Sequence, residues 1–169
     1  MGEATLEVII RAAEERDLGA MRAIYNHAVV HSTCTADYEP RSEAAQREWF
    51  AVRVKGGYPV LVAEQGERVV GWSALGPYHV RVGYRFTGED SLYIAPDHRG
   101  RGLGVRLLTP LIEAATSMGL HAVVGGIDSE NVASLRLHAR LGFVEVGRFR
   151  QVITKFDRWL DVVYVQRLL

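Results

Sequence analysis

Residues 92–104 read Leu-Tyr-Ile-Ala-Pro-Asp-His-Arg-Gly-Arg-Gly-Leu-Gly, an apolar segment that enters a basic, glycine-rich turn. An amphipathic segment follows directly, so the pattern predicts a strand, a turn and a helix. Three alternate glycines let the backbone approach a ligand without a Cβ clash. These glycines are Gly100, Gly102 and Gly104. Free N–H groups at the helix start, together with Arg99 and Arg101, favour an anion, and the turn therefore predicts a phosphate-binding site.

Two familiar phosphate-binding motifs do not match this turn. A P-loop ends in Gly-Lys-Ser/Thr, but Val105 and Arg106 follow Gly104 here, so both the lysine and the hydroxyl are missing. A dinucleotide fingerprint needs G-x-G-x-x-G, and Leu107 occupies its third glycine position. The remaining pattern is Arg99-x-x-Gly102-x-Gly104. Because six residues are few, a solvated strand-to-helix turn is an alternative interpretation, which the rest of the chain must decide.

Composition limits the class of protein. The 169 residues are 48% hydrophobic, which is enough for one domain, residues 1–169, with its own core. Twenty basic and twenty acidic residues cancel, so the charge indicates neither a nucleic acid nor a membrane partner. The single cysteine, Cys34, excludes an intrachain disulfide and is typical of a reducing cytoplasm. Glu3, Glu7 and the lack of a long apolar run near them predict neither a signal peptide nor a membrane span.

Hydrophobic periodicity predicts the element order β-α-α-β-β-β-α-β-α-β-β. The predicted strands are residues 6–12, 59–64, 69–75, 90–94, 122–127, 144–151 and 159–168; the predicted helices begin after Asp17 and at Ser42, Leu103 and Asn131. In the second helix we expect Trp49, Phe50 and Val54 on the buried side. Hairpins pair antiparallel and strand–helix–strand units favour parallel pairing. The fold class is therefore α/β, a mixed central sheet with helices on both faces.

Several separated blocks carry a family resemblance. They are Ile24–His27, Gly57–Ala63, Gly83–Phe86, Glu89–Tyr93, Arg99–Gly104, Gly126–Asn131, Leu137–Phe143 and Lys155–Asp161. With these blocks and its element order, the chain resembles the GCN5-related N-acetyltransferase (GNAT) family, and within it the phosphinothricin acetyltransferase-like branch. The resemblance implies transfer of acetyl from acetyl-CoA to the primary amine of a small amino-acid-like substrate, of the phosphinothricin, methionine sulfone or methionine sulfoximine type. It also implies a cytoplasmic homodimer.

The resemblance assigns the coenzyme site to two segments and one asparagine. The pyrophosphate is expected over Arg99, Gly100, Arg101, Gly102, Leu103 and Gly104. The pantetheine arm is expected along Leu92, Tyr93 and Ile94 as an added strand, because its amides can pair with a free backbone edge. Asn131 matches the asparagine that bonds this arm in the family. Its alternative role is a helix N-cap, and the two roles are compatible.

Glu89 and His138 are the catalytic candidates. An alkylammonium has a pKa of roughly 10, so a base is needed to free the amine at neutral pH. The resemblance assigns that role to Glu89, directly or through water; the alternative is an exposed strand-end carboxylate. Asp90 stands where the branch frequently has a histidine, and its like charge is expected to raise the pKa of Glu89. His138 stands where many relatives have a tyrosine and is either a proton donor to the leaving thiolate or a satisfied histidine between helix and sheet.

The residues that recognise the acceptor are expected in two loops. Arg81, Tyr84 and Arg85 precede Glu89, and Lys155 belongs to a later loop. The resemblance implies that together they hold a carboxylate and a second oxyanion, whereas the alternative is that they are solvated surface residues. No metal is expected, because the i, i+4 pair His27 and His31 lacks a third ligand.

Two other functions remain open. A protein acetyltransferase would need an open and often acidic groove, which the basic loop at 81–85 disfavours. A non-catalytic acyl-CoA-binding module would tolerate the loss of Glu89, which this chain retains.

Overall fold

The computed structural model describes residues 7–169, and the predicted element order is confirmed there. Within those residues the strands are β1 Val8–Ala12, β2 Val60–Gln65, β3 Arg68–Pro77, β4 Thr87–Ile94, β5 Ala122–Asp128, β6 Val144–Lys155 and β7 Arg158–Leu168. The helices are α1 Leu18–His31, α2 Glu43–Lys55, α3 Leu103–Ser117 and α4 Val132–Arg140. Leu6, which was predicted to start the first strand, lies outside the described residues. None of the helices within 7–169 is both long and apolar enough to span a membrane.

The strands form one mixed sheet in the order β1-β2-β3-β4-β5-β7-β6. Among the described strands, β4 and β5 form the parallel pair and the other neighbours run antiparallel. The parallel pairing begins at Thr87 opposite Ala122 and reaches Glu89 opposite Val124. Residues 90–94 of β4 continue to pair with β3 but not with β5. The backbone edge of β4 that faces β5 is therefore open beyond Glu89.

Helices cover both faces of the sheet, as predicted. Adjacent side chains of a strand point to opposite faces. Trp72 of β3 donates its indole N–H to the Met21 carbonyl of α1 at 3.1 Å, whereas the neighbouring Ser73 hydroxyl donates to the Leu107 carbonyl of α3 at 3.1 Å. Helix α2 lies on the α1 face, where the rings of Trp49 and Trp72 are 5.3 Å apart. Helix α4 packs on the α3 face.

Two local predictions were wrong. Val54 was expected on the buried side of α2, but its exposed fraction is 57%, and the α2 side chain that is buried is Gln46. The expected strand 144–151 continues to Lys155, because the chain bulges at 149–153 and resumes pairing with β7. Both differences come from tertiary packing, which cannot be predicted from the hydrophobic periodicity of a single segment.

Candidate active site

A cavity of about 590 Å³ lies between the open edge of β4, the glycine-rich turn and α4. Its lining residues come from four segments: Ser32, Thr33, Cys34; Leu92, Tyr93, Ile94; Arg99, Gly100, Gly102, Gly104, Val105; and Glu130, Asn131, Ala133, Ser134, Leu137. Strand β4 forms one wall of the cavity, and the turn after β4 places the N-terminus of α3 at the cavity. The cavity thus joins an unpaired strand edge to a helix start, the two features needed for an extended ligand with an anionic end.

The turn owes its shape to two glycines in the left-handed region. Gly100 has φ 72° and Gly102, at the N-cap of α3, has φ 76°, and at either residue no atom beyond the adjacent residues lies within 4 Å of the position of an added Cβ. Side chains are strained in this conformation, so glycine is favoured there. Open space above the turn leaves its N–H groups accessible from the cavity. Arg99 folds back over the turn and donates from Nε to the Ile94 carbonyl at 3.2 Å.

Gly104 serves a different purpose from the other two glycines. A Cβ at this position would lie 2.7 Å from Cδ2 of Leu137. The glycine therefore permits close packing of α3 against α4, in addition to lining the cavity. The sequence pattern had suggested close approach to a ligand as the common reason for all three glycines.

Eight of the ten predicted coenzyme residues line the cavity, and two do not. Leu103 is buried at 3% exposure in a core cluster with Val70 and Leu107. Arg101 is exposed and lies off the cavity wall. Leu103 turns inward because it is the first apolar residue of the buried stripe of α3, so its backbone, and not its side chain, faces the turn.

Asn131 caps α4 and also lines the cavity, a position that is compatible with both roles predicted from the sequence. Its side-chain oxygen accepts from the backbone N–H of Ser134 at 3.1 Å, which caps α4. The same residue lines the cavity opposite β4. The cap fixes the side chain at the cavity wall.

The wall formed by residues 32–34 was not predicted. These residues follow α1, and the Thr33 hydroxyl donates to Asp128 at the end of β5, so the loop is fastened across the cavity. Cys34 contacts the Ser32 hydroxyl at an S–O distance of 2.8 Å. The segment carries no periodicity or motif that could have identified it, since its place depends on a contact 95 residues away in sequence.

Glu89 lies at the point where β4 and β5 separate. It is exposed, and it shares a face of β4 with Tyr93, whose ring meets Tyr25 of α1 edge-on at 5.0 Å. Partial burial of the carboxylate raises the pKa of Glu89, and the charge of Asp90 raises it further, whereas the charge of Arg53 lowers it. The net shift is upward, as the sequence predicted from the adjacent Asp90.

Asp90 points to the opposite face of β4, where it pairs with His138 of α4. His138 Nε2 lies 3.1 Å from Asp90 Oδ2, and both side chains are 3% exposed. His138 Nδ1 lies 2.8 Å from the Ser134 carbonyl. Burial lowers the pKa of His138, but the hydrogen bond and charge of Asp90 outweigh it and the net pKa is raised. Both ring nitrogens are occupied, and His138 is not among the residues that line the cavity.

The four predicted acceptor residues do not form one cluster. Arg81, Tyr84 and Arg85 lie exposed around a short 3-10 turn, where Arg85 stacks at 4.4 Å on the Phe86 ring. Lys155 is 2% exposed, and its ammonium donates to the Thr35 carbonyl at 2.8 Å. Burial lowers its pKa. Among the described residues, no hydrogen bond or ring contact joins Lys155 to the turn at 81–85. Lys155 ends a strand whose length the sequence underestimated, which explains why it was expected in a loop.

A candidate metal site is absent from the part of the chain that the structure describes. No group of three His, Cys, Asp or Glu side chains is arranged there to hold an ion. The rings of His27 and His31 are 4.5 Å apart and tilted by 42° with respect to each other.

Fold and site together define an α/β protein in which a glycine-rich turn lines a cavity, beside two parallel strands that separate beyond Glu89. The model of the acetyltransferase (GNAT) family matches residues 20–143, and the chain belongs to that family. It is 43% identical over 157 residues to the L-amino acid N-acyltransferase MnaT of Escherichia coli, covering 93% of this chain and 91% of that protein. It is 41% identical over 157 residues to the L-methionine sulfoximine/L-methionine sulfone acetyltransferase of Salmonella typhimurium, covering 93% and 92%.

A solved structure extends the similarity to the expected branch of the family. The phosphinothricin acetyltransferase of Sinorhizobium meliloti, in complex with acetyl-CoA, superimposes with a TM-score of 0.94 at 33% identity, covering 96% of this chain and 88% of that one. The resemblance recognised in the sequence is thereby confirmed.

Proposed function

We propose that the chain transfers an acetyl group from acetyl-CoA to the primary amine of a small amino-acid-like acceptor. Phosphinothricin, methionine sulfone and methionine sulfoximine are the acceptor types that the similar enzymes suggest. The observation that carries the proposal is the arrangement along β4: an open backbone edge leads from the anion-binding turn to Glu89. Residues 1–169 act as one domain in this proposal.

The residues around the cavity fit the coenzyme. Backbone N–H groups of the turn after Arg99 would bind the pyrophosphate, and the free edge of Leu92–Ile94 would pair with the pantetheine amides. Asn131 would contact the same arm from the α4 side. When bound, the coenzyme supplies the acetyl group as a reactive thioester.

Glu89 is proposed to take the proton of the acceptor ammonium, directly or through water. Its raised pKa makes the carboxylate a better proton acceptor than an ordinary glutamate. A backbone N–H at the Glu89 end of the open β4 edge would stabilise the oxyanion that develops on the acetyl carbonyl, because a fixed dipole needs little reorganisation.

His138 stays in the proposal as the candidate proton donor to the departing thiolate. Its raised pKa favours the protonated form that a donor needs, but Nε2 is directed at Asp90. The variant His138→Asn separates the two roles. A proton donor would lose kcat at an unchanged melting temperature, whereas a structural histidine would lose melting temperature and retain kcat per folded molecule.

Thiol release from acetyl-CoA tests the proposed function. Methionine sulfone, methionine sulfoximine and phosphinothricin are offered in turn, with polyamines and lysine-containing peptides as competitors. We expect release with at least one of the three amino-acid-like amines. Preferred release with peptides would indicate a protein acetyltransferase, and release with none would indicate an acyl-CoA-binding module.

We also propose that the protein is a cytoplasmic homodimer that joins through β6. This strand is twelve residues long and forms an edge of the sheet. Six large apolar side chains are exposed along it, the turn after it and the start of β7: Val144, Val146, Phe149, Val152, Phe156 and Trp159. An unpaired apolar edge is a template for another strand, and a net charge of zero places no repulsion between two copies. A cytoplasmic site agrees with the free Cys34.

Sedimentation equilibrium tests the homodimer. The wild type is expected at twice the 18.8 kDa chain mass, and the double variant Val146→Lys, Val152→Lys at the chain mass. Val80→Lys, at a residue 95% exposed elsewhere on the surface, is the matched control and should remain dimeric. A monomeric wild type would contradict this part of the proposal.

A further inference from the structure

Two arginines flank Trp49 of α2 on the sheet face that carries Glu89. The guanidinium carbon of Arg53 lies 4.0 Å from the centroid of the Trp49 ring, and that of Arg41 lies 5.2 Å from it. Arg41 also stacks at 4.1 Å on the Tyr25 ring. Aromatic faces hold guanidinium planes in place while leaving the N–H edges free for a ligand. The two cations are therefore fixed in orientation.

Neither arginine has a carboxylate partner. Arg41 donates to the amide oxygen of Gln46 at 3.0 Å, and Arg53 donates to the carbonyl of Trp49 at 3.3 Å. Among residues 7–169, no carboxylate lies within 4.0 Å of either guanidinium, and the Arg53 Nε is buried without a hydrogen-bond partner. Burial, together with the charge of Arg41, lowers the pKa of Arg53 to about 10. Two half-buried cations close to each other lower the stability of the fold unless an anion neutralises them. The two arginines therefore form a site that would be stabilised by a bound anion.

The arginine pair lies beside the proposed base. In the pairing of β3 with β4, Gly76 lies opposite Glu89. A Cβ at Gly76 would lie 3.1 Å from Nη2 of Arg53, so the absence of a side chain at Gly76 makes room for the guanidinium there. The charge of Glu89 raises the pKa of Arg53, and the charge of Arg53 lowers the pKa of Glu89. A fixed cation and a carboxylate thus adjoin on one face.

We infer that Arg41 and Arg53 bind the α-carboxylate of the amino-acid acceptor and thereby direct its amine to Glu89. This inference rests on the proposed function and narrows it. In an α-amino acid the amine and the carboxylate share one carbon atom, so their binding groups must adjoin, as Arg53 and Glu89 do. The exposed Arg81 and Arg85 remain free to contact the side-chain end of the acceptor.

A pair of substrates that differ in the carboxylate tests the inference. L-Methionine sulfone and 3-(methylsulfonyl)propylamine have the same amine and sulfone, but the second lacks the carboxylate. For Arg53→Gln and Arg41→Gln we expect kcat/KM with L-methionine sulfone to fall roughly 10- to 100-fold, mainly through KM, since a hydrogen-bonded charge contact is lost. With the decarboxylated amine the same variants should stay within about threefold of the wild type. Arg53→Lys should lose less than Arg53→Gln.

Matched controls exclude a structural cause. Arg47→Gln removes a charge of the same sign from an exposed position on α2, where Arg47 pairs with Glu43, and should not change the preference for the carboxylated substrate. The KM for acetyl-CoA and the melting temperature should be unchanged in Arg41→Gln. If Arg53→Gln does not fold, the test is made with Arg41→Gln. An equal loss with both substrates, or no loss with either, would overturn the inference.

Calorimetry separates failure of this inference from failure of the proposed function. Absence of thiol release by the wild type with every amine would contradict the function. The two ligands are then titrated into the coenzyme A-loaded protein. Tighter binding of L-methionine sulfone than of its decarboxylated analogue, lost in Arg41→Gln, would still support the carboxylate site. Equal binding, or no binding of either ligand, would contradict it.

Discussion

Glu89 and Asp90 are neighbouring carboxylates on β4 with opposite environments. Glu89 is exposed where β4 and β5 separate, and it faces the α1 and α2 side with Arg53 close by. Asp90 is buried on the α3 and α4 side and pairs with His138. The alternation of a strand alone separates them, since adjacent side chains point to opposite faces. One residue step thus distinguishes a group available to a substrate from a group committed to the core.

Glu89→Gln should produce the largest effect on activity. Loss of a general base is expected to lower kcat by about 10² to 10⁴-fold, while acetyl-CoA binding is retained because Glu89 lies beyond the cavity that fits the coenzyme. Steady-state thiol release and coenzyme titration measure the two quantities. An unimpaired kcat would remove Glu89 from the mechanism and leave the two carboxylates functionally alike.

Asp90→Ala should produce the largest effect on stability. It leaves a buried His138 without its partner, which is expected to lower the free energy of unfolding by about 3 kcal/mol. Urea denaturation measures the loss. Because the folded-state pKa of His138 is raised, the pair stabilises fully below the unfolded pKa, and this contribution is lost as the pH rises through the folded value. The gap between wild type and variant should therefore narrow at alkaline pH, and a constant gap would show that charge does not hold the pair.

Gly104→Ala should affect both stability and the coenzyme site. Its Cβ would lie 2.7 Å from Leu137, so α4 must shift, which is expected to cost about 1–3 kcal/mol and to raise the KM for acetyl-CoA. Gly119→Ala is the control, because its φ of 74° imposes strain with no atom within 4 Å. The control should lower the melting temperature without changing the KM. Equal KM values for both variants would mean that α3–α4 packing does not shape the site.

The smallest expected effect is a shift of the pH profile. The base is active as a carboxylate, so kcat/KM should rise with pH through the raised pKa of Glu89. In Asp90→Asn the like charge is removed, so the rise should move to lower pH. A rise at the same pH in both proteins would show that the two carboxylates do not interact through β4.

The residue pattern within single segments was sufficient to predict much of the fold and half of the candidate site. The element order follows from periods of 3.6 and 2 and from turn residues, which each segment carries within itself. The turn at Arg99–Gly104 and the position of Glu89 before it could be recognised in the same way. The exposed Val54 and the buried Lys155 could not, because their environments depend on which segments pack over them.

The sequence by itself determined the strand–turn–helix, the mixed α/β order and the family, and it predicted an anion site at the turn, since these depend on residues close together along the chain. Tertiary structure alone decided which face of β4 each carboxylate occupies relative to the helices, that residues 32–34 close the cavity, and that the cluster of Arg41, Trp49 and Arg53 lies beside Glu89. The physical reason is that these arrangements join segments from tens of residues apart. Their energies come from burial and packing between elements, which no single segment contains.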